Sequence, residues 1–235
     1  MKLILRIITM ALLAIPVLLL ACNKEKKTPP TNTLPPVVNT IVTQAQIDTM
    51  KKHGTVINEG TTPPTVSGSF LLSPDVCSYD NSGGNLSGTT FDDYVYKFSN
   101  QNTAKFTVRV DYADTQGGDT GTDSTATYIS GNGKLFTIFA RSSGVESNIN
   151  YTNLEVISGE IATGGIANFQ ITDFLESKGA DPNNSLEPAG STRIFYDSDM
   201  LSTPYTGTII LNSLKGKVPD AIKSNASVKP MRYSK

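Results

Sequence analysis

The sequence predicts an all-β protein. It reads as an antiparallel meander of about eight strands closing into a barrel, with a β-sandwich as the alternative and one short helix in front. Three observations carry this. Apolar and polar residues alternate with period two in "YVYKFSN" (94–100) and "KFTVRVDYA" (105–113), the pattern of a strand with one buried side. Asn132-Gly133 separates two β-rich runs in "TYISGNGKLFTIFA" (127–140), and Asn-Gly supplies the positive φ angles of a type I′ hairpin turn. No helix-length pattern intervenes between successive runs, so parallel crossovers are not expected.

The helix comes first. Thr43-x-x-Gln46 has capping-box spacing, Ile47 and Met50 fall on one face, and Gly54 is placed to stop it. The first strand is "TVSGSFLLS" (65–73), just after Pro63-Pro64. Tyr94, Tyr96 and Phe98 share a face of the next. Phe106, Val108, Val110 and Tyr112 share a face of the one after, with Thr107, Arg109 and Asp111 opposite. A second hairpin, residues 151–174, turns at Thr163-Gly164-Gly165. "TRIFYDSD" (192–199) adds a strand, and "YTGTIILNS" (205–213) another. Phe106, Phe136, Ile138 and Phe169 make the inward set bulky. Loops 78–90, 113–124 and 178–191 are rich in Gly, Asn, Ser and Asp. Such loops, or the mouth of the barrel, are where function is expected.

The ends of the chain concern location. Lys2 and Arg6 precede a largely apolar run, Ile7–Leu20, which is shorter than the roughly 20 residues that a membrane-spanning helix needs. Leu19-Leu20-Ala21-Cys22 then resembles the lipobox of bacterial lipoproteins. That resemblance implies cleavage before Cys22 and acylation of it. One lipid chain holds a protein only reversibly, whereas two or three hold it stably. The implied organisation is a signal peptide over 1–21, an acylated anchor and Pro/Thr linker over 22–42, a barrel-like domain with its helix over 43–212, and a basic tail over 213–235. Asn23, where an aspartate often marks inner-membrane retention, points to the outer membrane. Lys24-Glu25 resembles the start of a surface-export signal, but Lys26 stands where a second acid belongs, so periplasmic and surface faces both stay open.

Charge is uneven. Without Lys2 and Arg6 the mature chain has 18 basic and 21 acidic residues, and residues 28–212 alone carry 9 against 19. An acidic body argues against nucleic acid as a partner. The basic tail reads as a solvated end, or as a segment touching anionic lipid headgroups or the acidic body.

"VINEGTTPPTVSGSFLLSP" (56–74) resembles a recurrent lipoprotein domain of Bacteroidota, through Ile57, Asn58, Gly60–Pro64, Gly68, Phe70, Ser73 and Pro74. "YISG" and "FYDSD" further along also look like that family. The resemblance implies an envelope compartment and a lipocalin-like β domain, and it brings no catalytic residues.

The chain shows no serine-hydrolase motif and no histidine-containing metal motif, and its single histidine, His53, cannot serve both a triad and a zinc site. Asp181-x-Asn183-x-Ser185-x-Glu187 spaces oxygens like the start of a calcium loop, but Leu186 stands where glycine is needed and Thr192 where glutamate belongs. A glycosidase is disfavoured by the absence of tryptophan. No enzyme activity, metal or cofactor is expected. Cys77 has no partner cysteine in the mature chain beyond the acylated one and reads as a small buried hydrophobe.

Two function classes remain: a structural or protein-interaction module docking on another envelope component, and a binding module for a small apolar ligand or glycan. The candidate ligand contact is Asp173, in register with Ala167, Phe169, Ile171 and Leu175 in "IANFQITDFLES". A regular strand points its carboxylate inward, where it needs a partner. Tyr112 and Tyr196 are the candidate hydroxyl partners. Thr49 and Ser124 sit in Asp-Thr-Met and Asp-Ser-Thr, which resemble the acceptor pattern of Bacteroidota O-glycosylation.

Overall fold

The computed structural model describes residues 34–208, except 117–119 and 147–148, and without the side chains of 122–126 and 144–146. Cys22, the segment before it and the basic tail lie outside the described residues. The chain is mostly β, with one short helix.

A 3-10 turn, Pro36–Thr40, leads into α1, Gln44–His53. The predicted capping box is present: Gln46 N–H donates to Thr43 Oγ1 (3.3 Å), and Thr43 N–H donates to Gln46 Oε1 (2.9 Å). Gly54 ends α1 with a left-handed φ of 108°, which glycine adopts without a Cβ clash. Ile47 and Met50 pack against Phe139, Leu154 and Val156. Residues 34–42, expected to belong to the linker, differ. Leu34, Val38, Ile41 and Val42 are apolar and join the same cluster, so this stretch covers the outer face of the sheet. Arg141 Nη2 secures it by donating to Ile41 O (3.2 Å).

The strands are β1 Thr61–Thr62, β2 Gly68–Leu72, β3 Asp75–Asp80, β4 Tyr94–Asn102, β5 Thr107–Asp114, β6 Thr120–Asn132, β7 Leu135–Glu146, β8 Ile149–Ala162, β9 Gly165–Lys178, β10 Thr192–Asp197 and β11 Leu201–Pro204. They form one large hydrogen-bonded sheet. It is mixed only because β1 pairs parallel with β6. One edge of β9 serves two partners: β10 along residues 170–174 and β11 along 166–167. β11 also pairs with β2. This closes β2, β4–β9 and β11 into a ring of eight strands, while β10 and β3 extend from β9 beside it.

Three expectations are corrected locally. The first hairpin turns at Gly133-Lys134, with Asn132 paired to Leu135. Only Gly133 takes a positive φ (65°), so glycine at the first turn position replaces the Asn-Gly arrangement. Phe106 sits in the β4–β5 turn with φ 55° and leaves the inward set, because β5 starts only at Thr107. The chain after "TRIFYDSD" turns back at once into β11, which lies before the strand expected at 205–213. Residues 205–208 are not strand, and 209–213 lie outside the described residues.

Alternation then puts Tyr94, Tyr96, Phe98, Phe136, Phe169 and Phe195 into one inner cluster. Gly121 pairs with Tyr112 across β5 and β6, and a Cβ built there would overlap the Tyr112 ring. Since Tyr112 is buried, Gly121→Ala is expected to cost about 1–3 kcal/mol through overpacking. Urea denaturation checks it, and an unchanged midpoint would contradict the close packing.

Candidate functional site

The β6–β7, β8–β9 and β10–β11 turns lie at one end of the sheet, because their strands run antiparallel. The loops 81–93 and 179–191 lie at the other end. There, beneath the loops, the inner face changes from aromatic to charged. Glu155, Asp173, Arg193 and Asp80 are successive cross-strand partners on β8, β9, β10 and β3. All four side chains are buried.

Strand periodicity explains three of these positions. Ile157, Ile171 and Phe195 belong to the inner cluster, so the residues two positions from them, Glu155 and Arg193 before and Asp173 after, face the same way. Asp80 has a different cause. The β3–β10 register shifts between Ile194 and Phe195, leaving Ser78 as an extra residue. The bulge reverses the alternation. Cys77 stays inward, Tyr79 turns outward to stack on His53 (centroids 4.5 Å apart), and Asp80 turns inward.

Arg193 is 0% exposed and heads the buried side chains by volume. Its Nη2 donates to Ser82 Oγ (2.9 Å) and its Nε to Asp80 Oδ1 (3.2 Å). Glu187 Oε2 lies 3.0 Å from the same Nε. That N–H is aimed at Asp80, so Glu187 lies against the guanidinium without receiving a hydrogen bond from it. Among the described residues nothing donates a hydrogen bond to Glu187 Oε1. Asp80 also accepts from the N–H groups of Ser82 (2.9 Å) and Leu86 (3.0 Å), which shapes loop 81–93. On the other flank Ser142 Oγ donates to Asn153 Oδ1, and Asn153 Nδ2 donates to Glu155 Oε1 (3.3 Å).

The carboxyls titrate apart. Burial opposes ionisation of Asp80, but hydrogen bonds from Ser82 and Leu86 and the charge of Arg193 outweigh it and hold its pKa below the usual value. Burial pushes Glu187 up to about 8; Arg193 counteracts this, while Asp173 and Asp80 add repulsion. The signs are opposite. Glu187 contributes stability that is full below its unfolded pKa and is lost as pH rises towards about 8. Asp80 contributes stability that is lost as pH falls through its lowered value.

Asp173 is therefore inside, on a stretch of β9 whose pairing with β10 runs without a bulge. Tyr112 is also inside, its hydroxyl 3.3 Å from that of Tyr151. Tyr196 follows the inward Phe195, so it lies on the opposite face of β10, half-buried and apart from this row. Thr49 is exposed on α1, with Oγ1 donating to Ala45 O (2.8 Å). Ser124 falls within β6, and its side chain lies outside the described part. Asp181 is occupied by its own loop: it accepts from Lys178 Nζ (2.7 Å), Ser185 N (2.7 Å) and Leu186 N (3.0 Å), which lowers its pKa to about 2. The calcium-like spacing is thus a turn. Burial pushes the Cys77 thiol up to about 11, away from thiolate chemistry. Sequence reasoning missed Arg193, Asp80 and Glu155 and met Glu187 only in the calcium-like spacing; for Arg193 the available signal was its place two residues before Phe195.

The arrangement can organise the two loops and hold protons. No known protein family, curated protein or solved structure matches the chain.

Proposed function

We propose that the chain is a cell-envelope lipoprotein, anchored in the outer membrane through acylated Cys22, whose lipocalin-like barrel serves a non-catalytic structural or protein-interaction role. The observation that carries the role is the filled inner face. The Tyr96 ring lies 5.6 Å from those of Tyr112 and Phe169, and Phe98 lies 6.2 Å from Phe169. A small barrel occupied by its own side chains offers its surface, not its interior, to partners. The partners so implied are membrane lipid and another envelope protein. The interior-ligand alternative draws on Asp173 and Tyr112 sharing the inner face, and a polar ligand such as a glycan suits that charged row better than an apolar one.

The anchor is tested in the host. A tagged fatty acid should label the wild type, and Cys22→Ser should abolish labelling and release the protein from the membrane fraction. Labelling that survives the substitution removes the lipoprotein reading. Cross-linking in intact envelopes then tests the role: a discrete cross-linked protein supports it, and a chain that cross-links to nothing counts against it.

A further inference from the structure

We propose that residues 179–191 form a pH-released flap: a proton on Glu187 keeps the loop latched over Arg193, and loss of that proton frees the loop from the end of the ring. The loop is fastened at few points. Between Gly179 and Gly190 only Leu186 and Glu187 are buried. Leu186 enters a small apolar cluster with Ile149, Tyr151 and Leu175. Glu187 enters the charged row.

The charges facing Glu187 decide what its ionisation does. From β10 comes Arg193, at 3.0 Å, already engaged with Asp80. From β3 comes Asp80 and from β9 Asp173, both repelling a second negative charge. Lys178, at the end of β9, is turned to Asp181 Oδ2 (2.7 Å) and Leu186 O (2.9 Å), so its charge is committed within the loop. Glu155 on β8 extends the acidic row beyond Asp173. With Asp80 ionised, Arg193 is balanced, and a protonated Glu187 fits beside them as a neutral group. An ionised Glu187 adds uncompensated charge away from water, a state that burial strongly disfavours. Of the carboxylates around Arg193, Glu187 is the one on a loop, so outward movement hydrates it without breaking a strand. The raised pKa of Glu187 agrees with this geometry.

Hydrogen exchange on the full chain in detergent tests the flap. Ser185 and Leu186 N–H bond to Asp181, Gly190 N–H to Leu175 O, and Ser191 N–H to Pro188 O. After correction for intrinsic rates, their protection should fall roughly tenfold or more between about pH 6.5 and about pH 9.5, while β8 and β9 keep theirs. Glu187→Gln, which cannot ionise, should keep the loop protected throughout. Protection that does not change with pH in the wild type overturns the proposal. So does a fall shared by the whole sheet, or one that Glu187→Gln reproduces. If Glu187→Gln does not fold, the wild-type profile alone decides between these outcomes.

Discussion

Arg193→Leu is expected to lower the unfolding free energy by about 3–5 kcal/mol near neutral pH, the range for breaking a buried ion pair from one side. Arg193 lies between Asp80 and Glu187 and holds Ser82 as well, so its loss leaves both loops without their common tie. Leucine restores some apolar volume but no charge. The cost should depend on pH in a defined direction. Without the guanidinium, Asp80 and Glu187 bind protons more tightly in the folded chain than in the unfolded one. Stability therefore returns as pH falls and they become neutral. Urea denaturation at about pH 5 and about pH 8 measures this, with the larger loss at the higher pH. A loss below about 1 kcal/mol, or one equal at both pH values, would mean that the row does not depend on its arginine.

The row was half legible. Asp173 could be found from sequence because Phe169 and Ile171 mark the inner face of β9 and the aspartate follows in step along the stretch that pairs regularly with β10. Arg193 obeys the same rule, but "TRIFYDSD" also offers the alternative face Ile194 and Tyr196, and an arginine is an improbable interior residue unless its partners are known. Those partners are Asp80, 113 residues away on β3, and Glu187, on the loop just before β10, whose inward turn no periodicity announces. Asp80 faces inward only because Ser78 makes a bulge, and a bulge depends on the pairing partner. The same limit applies to the fold. Local alternation and turn residues exposed the strands between 94 and 174 and the capped helix. Ring closure depends on β9 sharing one edge between β10 and β11, a non-local choice that no single stretch encodes. The packed segment 34–42 was hidden by Pro35 and Pro36, although Leu34, Val38, Ile41 and Val42 held the signal.

Phe169→Ala tests what the inner face is for. Phe169 is fully buried and meets Tyr96 (5.6 Å, 82°) and Phe98 (6.2 Å, 88°) edge-on, an arrangement that aromatic rings favour. Removing the ring should cost about 3–5 kcal/mol, from lost transfer energy and the void left behind. The void would be lined by aromatic and aliphatic groups, and apolar cavities of this kind stay dry and accept small apolar molecules. Benzene should therefore raise the unfolding temperature of Phe169→Ala by binding its folded state, and leave the wild type unchanged. That difference is the informative quantity. A filled interior gains a site only when a ring is removed. An interior with apolar space of its own would take benzene in the wild type as in the variant, and Phe169→Ala would cost far less than a core phenylalanine. In that case the surface-docking reading fails, and the chamber beside Asp173 and Tyr112 becomes the place to look for a bound molecule.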